Sequence, residues 1–377
     1  MFNKFTGKTF KFLTKRYMLI PPLLLIGVAL LSAVYLMVGY VENKFTTIEL
    51  EEKRKTLDLD EYNEYGLLDN KVLSEEILYE NEGFIIFSDR VLKKYLINPD
   101  NVYYFCNRVN LFSDMFKEDV NVSVMPIPLR VQYESFSTAD EYKEEFDNCL
   151  LTMNKFLDND VNLLDCSRVL GDNGGRNLYY RTSYMWNMEG SYYGYASACS
   201  VMGTEPYSID HYPQNQITHF RGGLISSSLP SIPENHEVIP IMQDIEDDPF
   251  FYRMAKNAKN YETVKDSESD RVFKRPIISN TVTGNSAVIG SSLDYAIVYG
   301  NGTGSLLLVC DDAGKMLAPY FAENYETVII FDISKYDGEN FKEILKPYNV
   351  TEILVTETAN LMGDRSQSKF LNSLAEE

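Results

Sequence analysis

Apolar and polar positions follow a different rhythm in each part of the chain. Met18–Val41 is an uncharged run of 24 residues, long enough to cross a bilayer as a helix. Pro21 and Pro22 stand at its start, where a missing N–H costs little. Residues 42–75 are highly charged with scattered apolar positions, which predicts a juxtamembrane helix or stalk. The stretch "EGFIIFSDRVLKKY" then opens a folded domain with a short apolar strand. Val120–Pro128 alternates and is rich in valine, a strand that proline stops. Thr138–Leu157 predicts a helix with an apolar stripe of Tyr142, Phe146, Leu150, Met153 and Phe156/Leu157. Thr138 and Glu141 have the spacing of a capping box at its start. "VNLLDCSRVL" is the next strand and its exit, and the acidic stretch Asp244–Lys274 is a loop with a helical piece.

The C-terminal third has the clearest pattern. Ser305–Cys310, Thr327–Ile333 and Thr351–Thr358 are short, continuous apolar runs. "GKMLAPYFAENY" and "GENFKEILKPYN" separate them with helical periodicity. Buried strands alternating with helices predict an α/β fold, a parallel sheet with helices on both faces. Ligands of such sheets bind beyond the strand C-termini, which directs attention to Asp311, Asp312, Asp332 and Thr356–Thr358.

Composition narrows the function classes. The chain has 377 residues, and its 45% apolar content is enough for a full core. A net charge of −20 argues against nucleic-acid binding, which needs a basic footprint. The charge is uneven: residues 1–17 contain Lys4, Lys8, Lys11, Lys15 and Arg16 and no acid. A basic segment before an apolar run, with no small-residue cleavage site after it, predicts an uncleaved signal anchor. The basic end is then expected in the cytoplasm and everything after Val41 outside. The five cysteines form no C-x-x-C pair; one disulfide is conceivable outside the cytoplasm, but no framework is implied.

Candidate chemistry is sparse. "LYYRTSYMWNMEGSYYGYASAC" (Leu178–Cys199) concentrates an arginine, the single tryptophan and several tyrosines, without a histidine or an acid–base pair beside a nucleophile. The tyrosines and Trp186 read as core packing or as a stacking surface for sugar rings. "CDDAGK" places Asp312 at a strand-to-helix turn. The simpler reading there is a helix-capping carboxylate; the sharper one is an aspartyl nucleophile or metal ligand. "GNGTGS" (Gly300–Ser305) precedes a strand rather than following one, so it is a turn and not a phosphate loop. His211, His219 and His236 lack metal-ligand spacing, and no cofactor is expected. Asn121, Asn301 and Asn349 match the glycosylation sequon.

Taken together, "YYRTSYMW", the glycine–tyrosine helix after it, "FRGGLISSS" and "LLLVCDDAGKMLAPYFAENYETVIIFDISKY" resemble the DHHW family over roughly residues 80–360. These are membrane-anchored, extracytoplasmic SGNH-hydrolase-like proteins of bacteria, similar to alginate O-acetylation enzymes. The resemblance implies an SGNH-like (flavodoxin-like) parallel sheet. The implied order is a basic segment at 1–17, a transmembrane anchor at 18–41, a stalk at 42–75, the DHHW-like domain at 76–362 and a polar tail at 363–377. In the family a Tyr-Arg-Thr-Asp-x-His-Trp motif supplies an acid and a base, and a serine in an Asp-Ser-x-Gly turn is the nucleophile. By position, Arg181, Thr182 and Trp186 match the motif, and Asp311 and Gly314 match the turn. The triad positions fall on Ser183, Met185 and Asp312, and methionine cannot act as a base. Arg181, Tyr184, Trp186, Asp311 and Gly314 remain as binding candidates. The Gly-Gly-Asn element that such proteins often contain has Gly300–Asn301–Gly302 as its nearest match.

The expectation is a membrane-anchored protein that has lost catalysis and binds or scaffolds. Its implied partners are a membrane acyltransferase or a cell-surface polysaccharide. The alternatives are an O-acetyltransferase or esterase with relocated groups, drawn from Ser183, Asp311, Asp312 and a distant histidine such as His211 or His219, and a carbohydrate-binding module that uses Trp186 and the tyrosines.

Overall fold

The computed structural model describes residues 76–87, 89–116, 120–136, 138–212, 222–224, 294–362 and 364–374 in full. It describes 214–220, 237–242, 250–254 and 272–276 as backbone. They belong to one compact unit, Leu59–Ile225 with Ile232–Glu377. The basic segment, apolar run and stalk expected at 1–75 lie outside the described residues. Among the described residues no helix is long and apolar enough to cross a membrane.

Strands β1 (Ile77–Glu80), β2 (Phe84–Phe87) and β3 (Val91–Lys93) form a small antiparallel sheet in that order. Helix α1 (Pro99–Ser113) begins at Asn98, whose side chain accepts a bond from the Asp100 N–H, with Pro99 in the first turn. Strand β4 (Asn121–Ile127) and helix α2 (Ala139–Phe156) follow where the pattern placed them. Tyr142, Phe146, Cys149 and Met153 form the buried stripe of α2. The expected capping box is absent, since the Thr138 side chain makes no capping bond. Then come β5 (Val161–Leu163), α3 (Ser167–Asp172) and α4 (Met188–Met202). Helix α4 stops at Gly203, whose φ of 73° is the left-handed region that favours glycine.

Strands β6 (Gln214–Phe220) and β7 (Glu237–Met242) pair antiparallel. Strands β8 (Phe250–Met254) and β9 (Val272–Pro276) correct the expectation of a loop with a helical piece across Asp244–Lys274. Their runs "FFYRM" and "VFKRP" are rich in the aromatic and β-branched residues that strands favour. Next are β10 (Tyr295–Tyr299), β11 (Ser305–Cys310), α5 (Ala318–Asn324), β12 (Thr327–Asp332), α6 (Phe341–Leu345) and β13 (Val350–Thr358). Short helices α7 (Ala359–Met362) and α8 (Lys369–Leu374) complete the described chain.

The main sheet has eight strands in the order β5-β4-β13-β11-β12-β10-β8-β9. The first five are parallel, as the C-terminal pattern predicted. The other three add antiparallel, so the sheet is mixed. Alternate side chains enter two cores. Leu306, Leu308 and Leu354 face α4 and α5, while Leu307, Val309 and Val355 face α1, α2 and α8. Both faces are covered, so the strands read as continuous apolar runs.

The segment read as a polar tail contributes to the second core. Phe370 on α8 is fully buried and stacks on Phe331 of β12, with centroids 5.4 Å apart. Phe370→Ala is therefore expected to destabilise the protein by about 3–5 kcal/mol in urea denaturation. An unchanged midpoint would show that α8 is dispensable.

Candidate functional site

The C-termini of β4, β13, β11 and β12 lie along one edge of the sheet. The segment Leu178–Asn187 is held against that edge. It closes as a tight loop, because the Asn187 N–H donates to Leu178 O (2.8 Å) and the Tyr180 N–H to Met185 O (3.1 Å). Ser183 Oγ accepts the Met185 N–H at 3.3 Å within the loop.

Trp186 fixes the loop to the turn after β11. Its ring is fully buried, and its Nε1–H donates to Ala313 O at 2.9 Å. Two glycines one turn apart on α4 make room for it. A Cβ on Gly194 would lie 2.6 Å from the indole Cη2, and one on Gly190 would lie 2.9 Å from Trp186 Cβ. On the other side of the loop, the Gly222 N–H donates to Thr182 Oγ1 (2.7 Å) and the Leu224 N–H to Thr182 O (3.0 Å). Three stretches far apart in sequence, "RTSYMW", "GGL" (222–224) and "CDDAGK", thus meet at one place.

A buried charge cluster holds the start of the loop. Glu134 binds Arg90 through both carboxylate oxygens (2.9 and 2.7 Å) and accepts from Arg130 Nε at 3.0 Å. Asp89 joins Arg90 (2.7 Å) to Arg181 (3.3 Å). Arg130 also donates to Tyr180 O. Arg181 is thereby a strut of the loop, with its guanidinium turned into the interior.

The two adjacent aspartates after β11 have different roles. Asp311 is buried and shapes the turn: Oδ1 accepts the Gly314 N–H at 2.8 Å, and Oδ2 accepts the N–H and hydroxyl of Thr358. Burial raises its pKa, and these bonds oppose the rise. Gly314 is required here, since a Cβ would sit 2.5 Å from Cys310 Cβ. Asp312 does not cap the following helix, contrary to the simpler sequence reading. Its side chain is 34% exposed and accepts from Lys315 Nζ (2.8 Å) and Lys335 Nζ (3.2 Å).

Lys315 is the unexpected member. Its ammonium is buried and bound to Asp332 at 2.5 Å as well as to Asp312. Burial alone would lower its pKa, but the two carboxylates outweigh burial and raise it. Asp332 accepts from Lys315 and Lys335 on Oδ2, and from Ser334 and the Lys335 N–H on Oδ1. Burial alone would raise its pKa; the two lysines reverse the sign. Two lysines and two aspartates therefore form a closed network at the strand ends.

Tyr184 is half-buried beside this network. Burial first, then the charges of Asp311 and Asp312, raise the pKa of its phenol, which keeps it a donor. Lys93 Nζ lies 5.4 Å from the Tyr184 ring centroid. Glu357, at the end of β13, is fully buried, and neither of its carboxyl oxygens has a hydrogen-bond partner among the described residues. Burial first, then the nearby charges of Asp311, Asp332 and Asp364, push its pKa well above the usual glutamate range.

Comparison with known proteins was made on this geometry. No family model and no curated protein matches the sequence. Solved structures do match. A DHHW family protein from Eubacterium siraeum aligns over 78% of this chain and 96% of its own, with a TM-score of 0.65 at 16% identity. This chain has the DHHW fold. Bacillus cereus PatB1 aligns over 75% of this chain and 97% of its own, with a TM-score of 0.60 at 16% identity. The same protein with a sulfonyl adduct gives 0.57 at 15% identity, over 74% and 95% of the two chains.

Within this DHHW-like fold, several sequence candidates resolve. Ser183, Met185 and Trp186 are buried, with Met185 inside the first core. Burial takes Trp186, Tyr179, Tyr180 and Tyr195 out of the stacking surface that a sugar-binding reading needs and leaves only Tyr184, Tyr192 and Tyr193 of that cluster half-buried. His211 is exposed and packs against Tyr207 and Tyr212, with no contact to Ser183 or Asp312. The side chains of His219 and His236 lie outside the described residues. All five cysteines are buried and unpaired, and burial pushes the Cys106, Cys149 and Cys199 thiols up to about 12. Gly300 and Gly302 form the turn before β11, packed on the backbone of Ala322 and Asn324. Among the described residues no His, Cys, Asp and Glu cluster is arranged to hold a metal. Sequence reasoning missed Lys315, Lys335 and Glu357; for the two lysines "CDDAGK" and "DISKY" held the signal, each pairing an aspartate with a lysine three residues on.

Gly194→Ala is expected to cost about 1–3 kcal/mol by overpacking the indole, read by urea denaturation; an unchanged stability would mean Trp186 is not clamped. Glu357 binds its proton more tightly in the fold than in the unfolded chain. Its stabilising effect is full below the unfolded carboxyl range and is lost as pH rises through the raised folded value. Glu357→Gln is accordingly expected to flatten the decline of stability with pH above the ordinary carboxylate range. Identical pH profiles for the two proteins would refute the assignment.

Proposed function

We propose that this protein is a non-catalytic DHHW-like domain, held at the outer face of a bacterial membrane by the apolar run Met18–Val41. It binds or scaffolds beside machinery that acylates cell-surface polysaccharide, with a membrane acyltransferase as the implied partner. The observation that supports loss of catalysis is the state of Asp312. At the position that matches the family's serine, its carboxylate is tied to Lys315 and Lys335. Aspartate there cannot form an acyl-serine, and Met185 cannot serve as a base. The scaffold persists because Trp186, Gly190, Gly194, Asp311 and Gly314 maintain it by packing and hydrogen bonds, and a fold can outlive its chemistry.

The experiment is a turnover assay with the purified full-length chain on acetyl esters and acetylated oligosaccharides. No turnover above the rate without protein is expected, in the parent and in Asp312→Ala alike. Turnover in the parent that disappears in Asp312→Ala would overturn the proposal.

A further inference from the structure

We propose that the outward face of α1 is a docking surface for a partner protein, engaged through a short segment that carries carboxylates beside apolar side chains. Tyr104, Arg108, Leu111 and Met115 on this face, with Arg365 before α8, make the contact. This names the chemistry of the partner that the binding reading implies, and it rests on that reading.

Two arginines far apart in sequence meet on one ring. The guanidinium carbons of Arg108 and Arg365 each lie 4.6 Å from the centroid of Tyr104. Stacking on an aromatic ring engages the face of a guanidinium and leaves its N–H edge able to donate. Arg365 is fixed in place: its Nε–H donates to Asn101 Oδ1 at 2.9 Å, and its carbonyl accepts from Asn372 Nδ2 at 2.9 Å. Arg108 makes no hydrogen bond among the described residues, and of its nitrogens only Nε is shut off from solvent. Neither arginine has an ion pair among the described residues, in a chain of net charge −20. Asp364, beside Arg365, accepts from the N–H and hydroxyl of Ser366 instead (2.9 and 2.7 Å). Two positioned guanidinium groups therefore await carboxylates that this fold does not supply.

The same face of α1 turns apolar beyond the arginine. Tyr104, Arg108 and Leu111 are spaced so that they share one stripe of the helix, and Met115 follows in the turn after it. Leu111 is half exposed and Met115 about a third exposed. An anionic lipid surface is the rival occupant, and charge disfavours it. Asp100, Asp114 and Asp364 are exposed around the stripe, and a uniformly negative surface repels them. A protein segment can set its carboxylates against the arginines alone and its apolar side chains against Leu111 and Met115.

The full-length chain is made with the photo-crosslinking residue benzoylphenylalanine in place of Leu111, and separately of Met115, and is irradiated in intact cells that natively make it. The linked peptide is sequenced by mass spectrometry. A protein product is expected, joined through a segment that combines acidic and apolar residues. Arg108→Gln together with Arg365→Gln is expected to lower its yield about tenfold, the loss of a charge-assisted hydrogen bond. Lys155→Gln, at an exposed lysine of α2, is expected to leave the yield unchanged. Circular dichroism confirms that each variant folds, and Arg365→Gln alone, at an exposed position, decides the matter if the double variant does not fold. No product from either position, a lipid product, a linked segment without acidic residues, or an equal yield from the folded arginine variant would overturn the inference. Such a failure leaves the non-catalytic reading intact. Ester turnover dependent on Asp312 would instead overturn that reading and leave the docking surface standing.

Discussion

A lysine side chain driven into a protein interior must bring its counter-charges with it. Desolvating the Lys315 ammonium is costly, and only close carboxylates can offset the cost. Asp332 at the end of β12 and Asp312 after β11 meet that demand, and Lys335 balances them in turn. The strand ends of the parallel sheet thereby hold a closed network of two lysines and two aspartates. Each of the four charges has two partners in this ring, so removing one member leaves both of its neighbours with a single counter-charge.

The frame around that network is apolar and steric. Trp186 reaches from the loop to the Ala313 carbonyl, and Gly190 and Gly194 form the slot that admits it. Asp311 fastens the turn to β13 through Thr358. Arg181 serves the same frame through Asp89 and the Arg90–Glu134 pair. None of these contacts requires reactive chemistry, so the frame does not depend on which polar residues stand at its strand ends.

Much of this was legible in the sequence, for identifiable reasons. Strands β11, β12 and β13 are buried on both faces, so they stand out as unbroken apolar runs. Helix α2 shows its stripe because one face is packed and the other wet. Strands β8 and β9 lie at the sheet edge among acidic residues, and their five-residue runs were lost in that background. Helix α8 buries only Phe370 and Leu371 from a polar segment, too few positions to produce a periodicity. The pairing of "RTSYMW" with "CDDAGK" followed from the family resemblance, and the indole bond gives it a physical basis. The division of labour between Asp311 and Asp312 was not legible, because adjacent identical residues differ only in what the turn points them at. Burial of Lys315 was hidden for a simpler reason: lysine is almost never fully buried unless paired.

The central claim, that the strand ends hold a charge network and no nucleophile, meets its most direct test in covalent labelling. The protein is incubated with a serine-directed sulfonyl fluoride and its intact mass is measured, followed by peptide mapping. The account predicts no stoichiometric adduct on the segments around Ser183 and Asp312. A single stoichiometric sulfonyl group on Ser183, or on any residue of the turn after β11, would contradict it.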